Sequence, residues 1–159
     1  MSQFRAFATV FIAILSLTGF GQSYKAQPGQ TVLVLEIESR GQVAILLHTA
    51  QAPKTTAQII KLAQQGFYNG QKFFKVIKQP KPFLIRTGDP ASKSKPSSDS
   101  SLGSGGSGSN VPFENSGFPN VEGAVGLSTL ANDRDSGDSQ FHILLGPASF
   151  LDGSYTVFG

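Results

Sequence analysis

Residues Gly66 to Pro90 read GFYNGQKFFKVIKQPKPFLIRTGDP, and the parsing of this stretch decides the fold. Phe73-Phe74-Lys75-Val76-Ile77 and Phe83-Leu84-Ile85-Arg86-Thr87 are aromatic and β-branched runs, the composition of strands. Pro80-Lys81-Pro82 breaks the chain between them, because proline lacks a backbone donor and fixes φ, and Gly88-Asp89-Pro90 ends the second run. Each run carries a single cation, Lys75 in the first and Arg86 in the second. A cation held among large apolar neighbours directs attention to chemistry.

Upstream, Val32-Leu33-Val34-Leu35-Glu36-Ile37 and Val43-Ala44-Ile45-Leu46-Leu47 are apolar runs joined by Glu38-Ser39-Arg40-Gly41, which predicts a β-hairpin with glycine in its turn. A helix is predicted from Pro53 to Gln65. Proline suits its first turn, Ile59, Ile60, Leu62 and Ala63 form an apolar stripe, and Gly66 stands where a C-terminal stop belongs. These segments read as scaffold.

Downstream, residues 92–110 hold nine serines and four glycines among nineteen, with Leu102 as the one large apolar side chain, so the stretch is expected to be a flexible loop. Gly103-Ser104-Gly105-Gly106 lacks the lysine and following helix of a phosphate-binding loop. Asp133-Arg134-Asp135-Ser136-Gly137-Asp138 has part of a calcium-loop rhythm, but the twelfth position is Leu144 where a glutamate would be needed, and a turn is expected. His48 and His142 lie far apart with no metal-ligand spacing around them, so no metal and no cofactor is expected.

Residues 1–21 have the form of a targeting segment: Arg5, an apolar run from Ala6 to Phe20, and small residues at Gly19 and Gly21. The run is shorter than the roughly 20 residues a spanning helix requires. A cleaved signal peptide is expected, with an uncleaved N-terminal anchor as the alternative, followed by a linker over 22–30 and one domain over 31–159. The protein is then periplasmic or secreted, or held at the membrane by its N-terminus. A length of 159 residues suffices for one domain with a real core. The formal charge of +3, carried by scattered basic residues, is too small to argue for nucleic acid. Absence of cysteine excludes disulfides and thiol catalysis.

The 66–90 stretch resembles the signature region of the cyclophilin-type peptidyl-prolyl isomerases, whose pattern is close to G-F-Y-D-G-x-x-F-H-R-V-I followed by F-M-x-Q-G-G-D-P. Ala52-Pro53-Lys54-Thr55-Thr56-Ala57-Gln58 is similar to the family's A-P-K-T-V-x-N, Asp138-Ser139-Gln140-Phe141-His142-Ile143 to its G-S-Q-F-F-I, and Leu151 to Gly159 to its L-D-G-x-x-x-V-F-G. The blocks keep the family's order over residues 32–159. The resemblance implies a mainly β fold, a closed antiparallel eight-stranded barrel capped by helices. In the family further strand and a C-terminal helix follow V-F-G, so this chain is expected to be a fragment.

The resemblance also implies an activity and a site. The activity is cis-trans isomerisation of X–Pro bonds in exported or extended polypeptides, in aid of folding, by a protein that is a monomer when complete and meets no nucleic acid and no membrane beyond its targeting segment. The substrate pocket would comprise Phe74, Phe83, Leu84, Ala131, Asn132, Gln140, Phe141, His142, Leu151 and Tyr155, with Phe150 where a tryptophan is often found. The family's donor arginine corresponds to Lys75, and Arg86 stands where the family usually has a glutamine, so the two cations are the catalytic candidates and an exchange of roles between them is open. A proline-binding or chaperone module without catalysis uses the same pocket, and a secreted barrel for another ligand is the third reading.

Overall fold

A computed structural model of the chain describes residues 8–10 and 24–159. Its strands are β1 (Ala8–Val10), β2 (Val32–Ile37), β3 (Gly41–Leu46), β4 (Lys75–Ile77), β5 (Leu84–Thr87), β6 (Val125–Leu127) and β7 (Phe141–Leu144), with one helix, α1 (Pro53–Gln64). The strands form two antiparallel sheets, one in the order β1-β2-β3 and the other β4-β5-β7-β6.

The β2–β3 hairpin closes through a turn in which Ser39 and Gly41 take positive φ and the Arg40 amide donates to the Ile37 carbonyl (2.9 Å). Leu33, Leu35 and Ile45 point inward from it and are buried. Helix α1 lays Ile59, Leu62 and Ala63 on the same core. It has no capping side chain of its own at Ala52; the Glu114 carboxylate accepts from the Lys54 amide (2.9 Å) and the Thr55 amide (2.8 Å), placing negative charge at the positive end of the helix. The other end is a Schellman motif, with Phe67 N–H donating to Leu62 O and Gly66 N–H to Ala63 O around Gly66 at φ +69.

The expected closed eight-stranded barrel is not what the described residues form. Seven strands fall in two sheets, and the link between the sheets is Thr156–Gly159, which is not itself a strand. Its backbone bonds with β6 at Val125 and Leu127 on one side, while Phe158 O accepts from His48 N–H just beyond β3 on the other. Strands β1 and β4 end the two sheets with only one strand neighbour each, so hydrogen bonding does not run round to close. Ala8–Val10, inside the expected targeting segment, lies antiparallel to β2; the rest of residues 1–21 is outside the described residues. Among the described residues no helix is long and apolar enough to cross a membrane.

The 92–110 segment, expected to be a flexible loop, makes specific hydrogen bonds to the rest of the fold. Pro90–Lys93 is a 3-10 turn, and the chain after it is tied down by two carboxylates from outside the segment. Asp89, fully buried, accepts from the amides of Ala91 (2.9 Å), Gly103 (2.7 Å) and Gly105 (3.0 Å). Asp138 accepts from the Ser107 hydroxyl and the Gly108 amide (2.8 Å), and Gln58 Nε2 donates to Ser107 Oγ and Ser109 O. Few apolar groups are buried there, and backbone donors on charged acceptors do the ordering.

Candidate active site

The register of the second sheet sets four residues in a line. Lys75 on β4 is opposite Arg86 on β5, Arg86 is opposite His142 on β7, and His142 is opposite Gly126 on β6. Directly opposed residues share a face, so Lys75, Arg86 and His142 project together. The next row on that face is Ile77, Leu84 and Leu144, of which Leu84 and Leu144 join Ala124, Ala148, Val157, Phe83 and Leu151 in a small apolar cluster. Val76, Ile85, Ile143 and Val125 alternate to the opposite face, where the last three join the main core.

His142 is 3% exposed. Its ring lies against Gly126, where a Cβ would come within 2.6 Å of Cε1 and Nε2, so that position has to be glycine for the imidazole to sit there. Ser128 Oγ is 3.2 Å from Nδ1, and the Tyr155 ring meets the imidazole edge-on at 5.3 Å. Nε2 is buried without a partner. Burial, and then the charge of Arg86, lower the His142 pKa to about 4, so the ring is neutral near pH 7.

Arg86 is half-buried with its guanidinium carbon 5.9 Å from the centre of the Phe74 ring. Burial lowers its pKa, opposed by the nearby Tyr155 and Asp89. Nε is buried without a partner, and among the described residues no hydrogen bond or ion pair holds the guanidinium. Lys75, one strand further out, is exposed. Gln140 lies two residues before His142; its Nε2 donates to Gly105 O, and its Oε1 is buried and unpaired. The serine-glycine strap thereby borders this face, and a Cβ at Gly103 would lie 3.4 Å from the Phe74 ring.

Of the residues the sequence nominated, the structure gathers Lys75, Arg86, Phe74, Gln140, His142 and Tyr155 around this row, with Phe83, Leu84 and Leu151 in the adjoining apolar cluster. Phe150, 73% exposed, stacks on Phe83 at 5.7 Å. Phe141 is placed elsewhere: it is 0% exposed, and it packs in the main core against Tyr68 and Phe158. Strand alternation forces this, because neighbours of His142 on β7 point the other way. Ala131 and Asn132 are exposed in the turn between β6 and β7, Asn132 at φ +66, and no hydrogen bond or ring contact joins them to the row. Gly126, Ser128 and the strap glycines Gly103 and Gly105 were not nominated. Gly126 meets His142 through strand register and Ser128 through a side-chain hydrogen bond, neither of which local sequence pattern shows.

The family model described as "Cyclophilin type peptidyl-prolyl cis-trans isomerase/CLD" matches residues 32–159. A "Probable peptidyl-prolyl cis-trans isomerase" of Brucella suis biovar 1 is 38% identical over 155 residues, covering 96% of this chain and 76% of the relative. The human "Peptidyl-prolyl cis-trans isomerase-like 1" is 34% identical over 126 residues, covering 76% of this chain and 68% of that one. Among solved structures, a cyclophilin type peptidyl-prolyl cis-trans isomerase of Cryptosporidium parvum, determined in the presence of the dipeptide Ala-Pro, superposes with a TM-score of 0.64 at 25% identity over 76% of this chain and 72% of its own.

Proposed function

We propose, since this chain belongs to the cyclophilin-type peptidyl-prolyl cis-trans isomerases, that Arg86 and not Lys75 supplies the hydrogen bond on which its catalysis turns. The reaction is rotation about an X–Pro peptide bond, over a barrier of about 20 kcal/mol that leaves the uncatalysed step at tens of seconds. Rotation breaks amide resonance and localises a lone pair on the proline nitrogen. No covalent step is required. The site has to hold the ring in an apolar slot and present a donor that bonds the twisted amide better than the planar one.

In this reading Phe83, Leu84 and Leu151 form the slot, with Phe150 as its outer wall. His142, held by Ser128 and Tyr155, is its neutral floor. Gln140 and the strap at Gly103–Gly105 align the peptide beside Phe74. The observation that carries the assignment is the unheld guanidinium of Arg86, half-buried on the groove face next to His142, while Lys75 stands exposed on the outer strand. A guanidinium is a planar fork that loses little solvation on approach to an acceptor, whereas an ammonium is compact and strongly hydrated.

Kinetics on one X–Pro peptide test this. Removing a well-placed donor costs about 2.7–4 kcal/mol, or 10²–10³ in rate, so Arg86→Gln is expected to lower kcat/KM by that much and Lys75→Ala by less than about tenfold. The reverse order would return the donor role to Lys75. Exposed X–Pro bonds in extended, exported polypeptides are the natural substrates under this reading, and the apolar run behind Arg5 supports export. The mature N-terminus is then expected near Gln22, and cleavage there removes Ala8–Val10 and frees the edge of β2. Met1 retained on membrane-bound material would establish the anchor instead.

A further inference from the structure

We infer that this groove prefers substrates bearing a carboxylate next to the X–Pro bond, an Asp or Glu side chain flanking the proline; the inference rests on the reading of the Arg86–His142 face as the isomerase site. The sequence has no acidic residue between Glu38 and Asp89, yet it places Lys72, Lys75, Lys78, Lys81 and Arg86 within residues 72–86. Of these, the β4–β5 pairing sets Lys75 directly beside Arg86, and Lys78 and Lys81 lie in the connection between the two strands.

Within that hairpin Lys75 and Arg86 are directly opposed. Side chains so placed have Cβ atoms about 4.5–5.5 Å apart, and like charges there repel. Among the described residues neither cation is in an ion pair, and only the charge of Asp89 offsets Arg86. The ion pair among the described residues is Lys95 with Asp99 (3.7 Å), away from the row. Asp89, close enough to favour the charged form of Arg86, already has its oxygens on the amides of Ala91, Gly103 and Gly105. Lys72 is committed to the Lys95 carbonyl (2.8 Å). Arg86 Nε is buried with no acceptor.

A carbonyl oxygen or a water would satisfy Nε but leave the repulsion between the cations in place. A carboxylate relieves both, since its two oxygens match the guanidinium fork and its charge offsets the neighbouring ammonium. The pair is partly withdrawn from solvent, so screening by salt is incomplete but measurable.

The experiment uses the full chain and peptides differing only in the residue before the proline (Glu, Gln or Lys), with a second set varying the residue after it. Isomerisation is followed by NMR exchange, which needs no coupling protease. In one of the two sets the Glu peptide is expected to exceed Gln in kcat/KM by about tenfold and the Lys peptide to fall below Gln. Added salt at 0.5 M should compress the ratio. Lys75→Gln, at an exposed position, should lower the Glu/Gln ratio at least about threefold, whatever it does to the rate itself. A Glu/Gln ratio at or below one in both sets, or a ratio indifferent to Lys75→Gln, overturns the inference. If even the Gln peptides isomerise at the uncatalysed rate, the isomerase-site reading fails instead. Carboxylate selection is then decided by fluorescence anisotropy on the same peptides, tighter Glu binding supporting it and equal binding refuting it.

Discussion

Replacing Gly126 by alanine adds one methyl group at a place already filled by an imidazole. The new Cβ would lie 2.6 Å from both Cε1 and Nε2 of His142, about 0.8 Å inside the 3.4 Å at which ordinary contact begins. The ring has little freedom to yield, since Ser128 holds Nδ1 at 3.2 Å and Tyr155 closes the edge. Forcing a methyl into a filled interior costs typically 1–3 kcal/mol. A loss of about 2 kcal/mol, with a urea slope of about 2 kcal/mol/M, moves the denaturation midpoint by about 1 M. Since the ring is the floor of the proposed slot, its displacement towards Tyr155 should also raise KM. The decisive measurement is a double-mutant cycle by urea denaturation. His142→Ala empties the space the methyl needs, so Gly126→Ala should be nearly without cost in that background, a coupling of at least about 1 kcal/mol. Additive losses, or a Gly126→Ala protein as stable as wild type, would refute the packing argument.

Other consequences are as open to measurement. Asp89→Ala strips the buried acceptor from two strap amides and that of Ala91 and should cost at least about 2–3 kcal/mol in chemical denaturation, with proteolysis of the 92–110 segment accelerated. The same change should weaken substrate binding, because Gly103 and Gly105 wall the groove beside Phe74 and Gln140. Stability should depend on pH through His142. Its folded pKa of about 4 lies below the ordinary 6.5, so the unfolded chain binds the proton first, and stability falls by up to about 3 kcal/mol as pH drops from 6.5 to 4. His142→Phe should flatten most of that slope; His48, whose pKa burial also lowers, supplies the remainder.

The scaffold was legible wherever local pattern and burial agree. The β2 and β3 runs, the apolar stripe of α1 and the stop at Gly66 lie within a residue or two of where the sequence puts them, because short-range periodicity sets each. Strand alternation alone separates Phe141 from its neighbours Gln140 and His142, and it was a signal available in the sequence. The line through Lys75, Arg86, His142 and Gly126 was not available, since inter-strand register is a long-range property. The anchoring of the strap was illegible for a different reason. Its composition counts apolar surface, whereas its order comes from glycine amides reaching Asp89 and Asp138, residues outside or far from the segment.

The cap on α1 has a consequence for how the chain is made. The helix begins at Pro53, and the carboxylate that satisfies its first free amides belongs to Glu114, 60 residues beyond Lys54. During synthesis at about 5–20 residues per second, the start of the helix leaves the ribosome some 3–12 seconds before its cap does. A helix of twelve residues is marginal alone in water, so over that interval α1 is a fraying segment whose apolar stripe of Ile59, Leu62 and Ala63 stands open to chaperones.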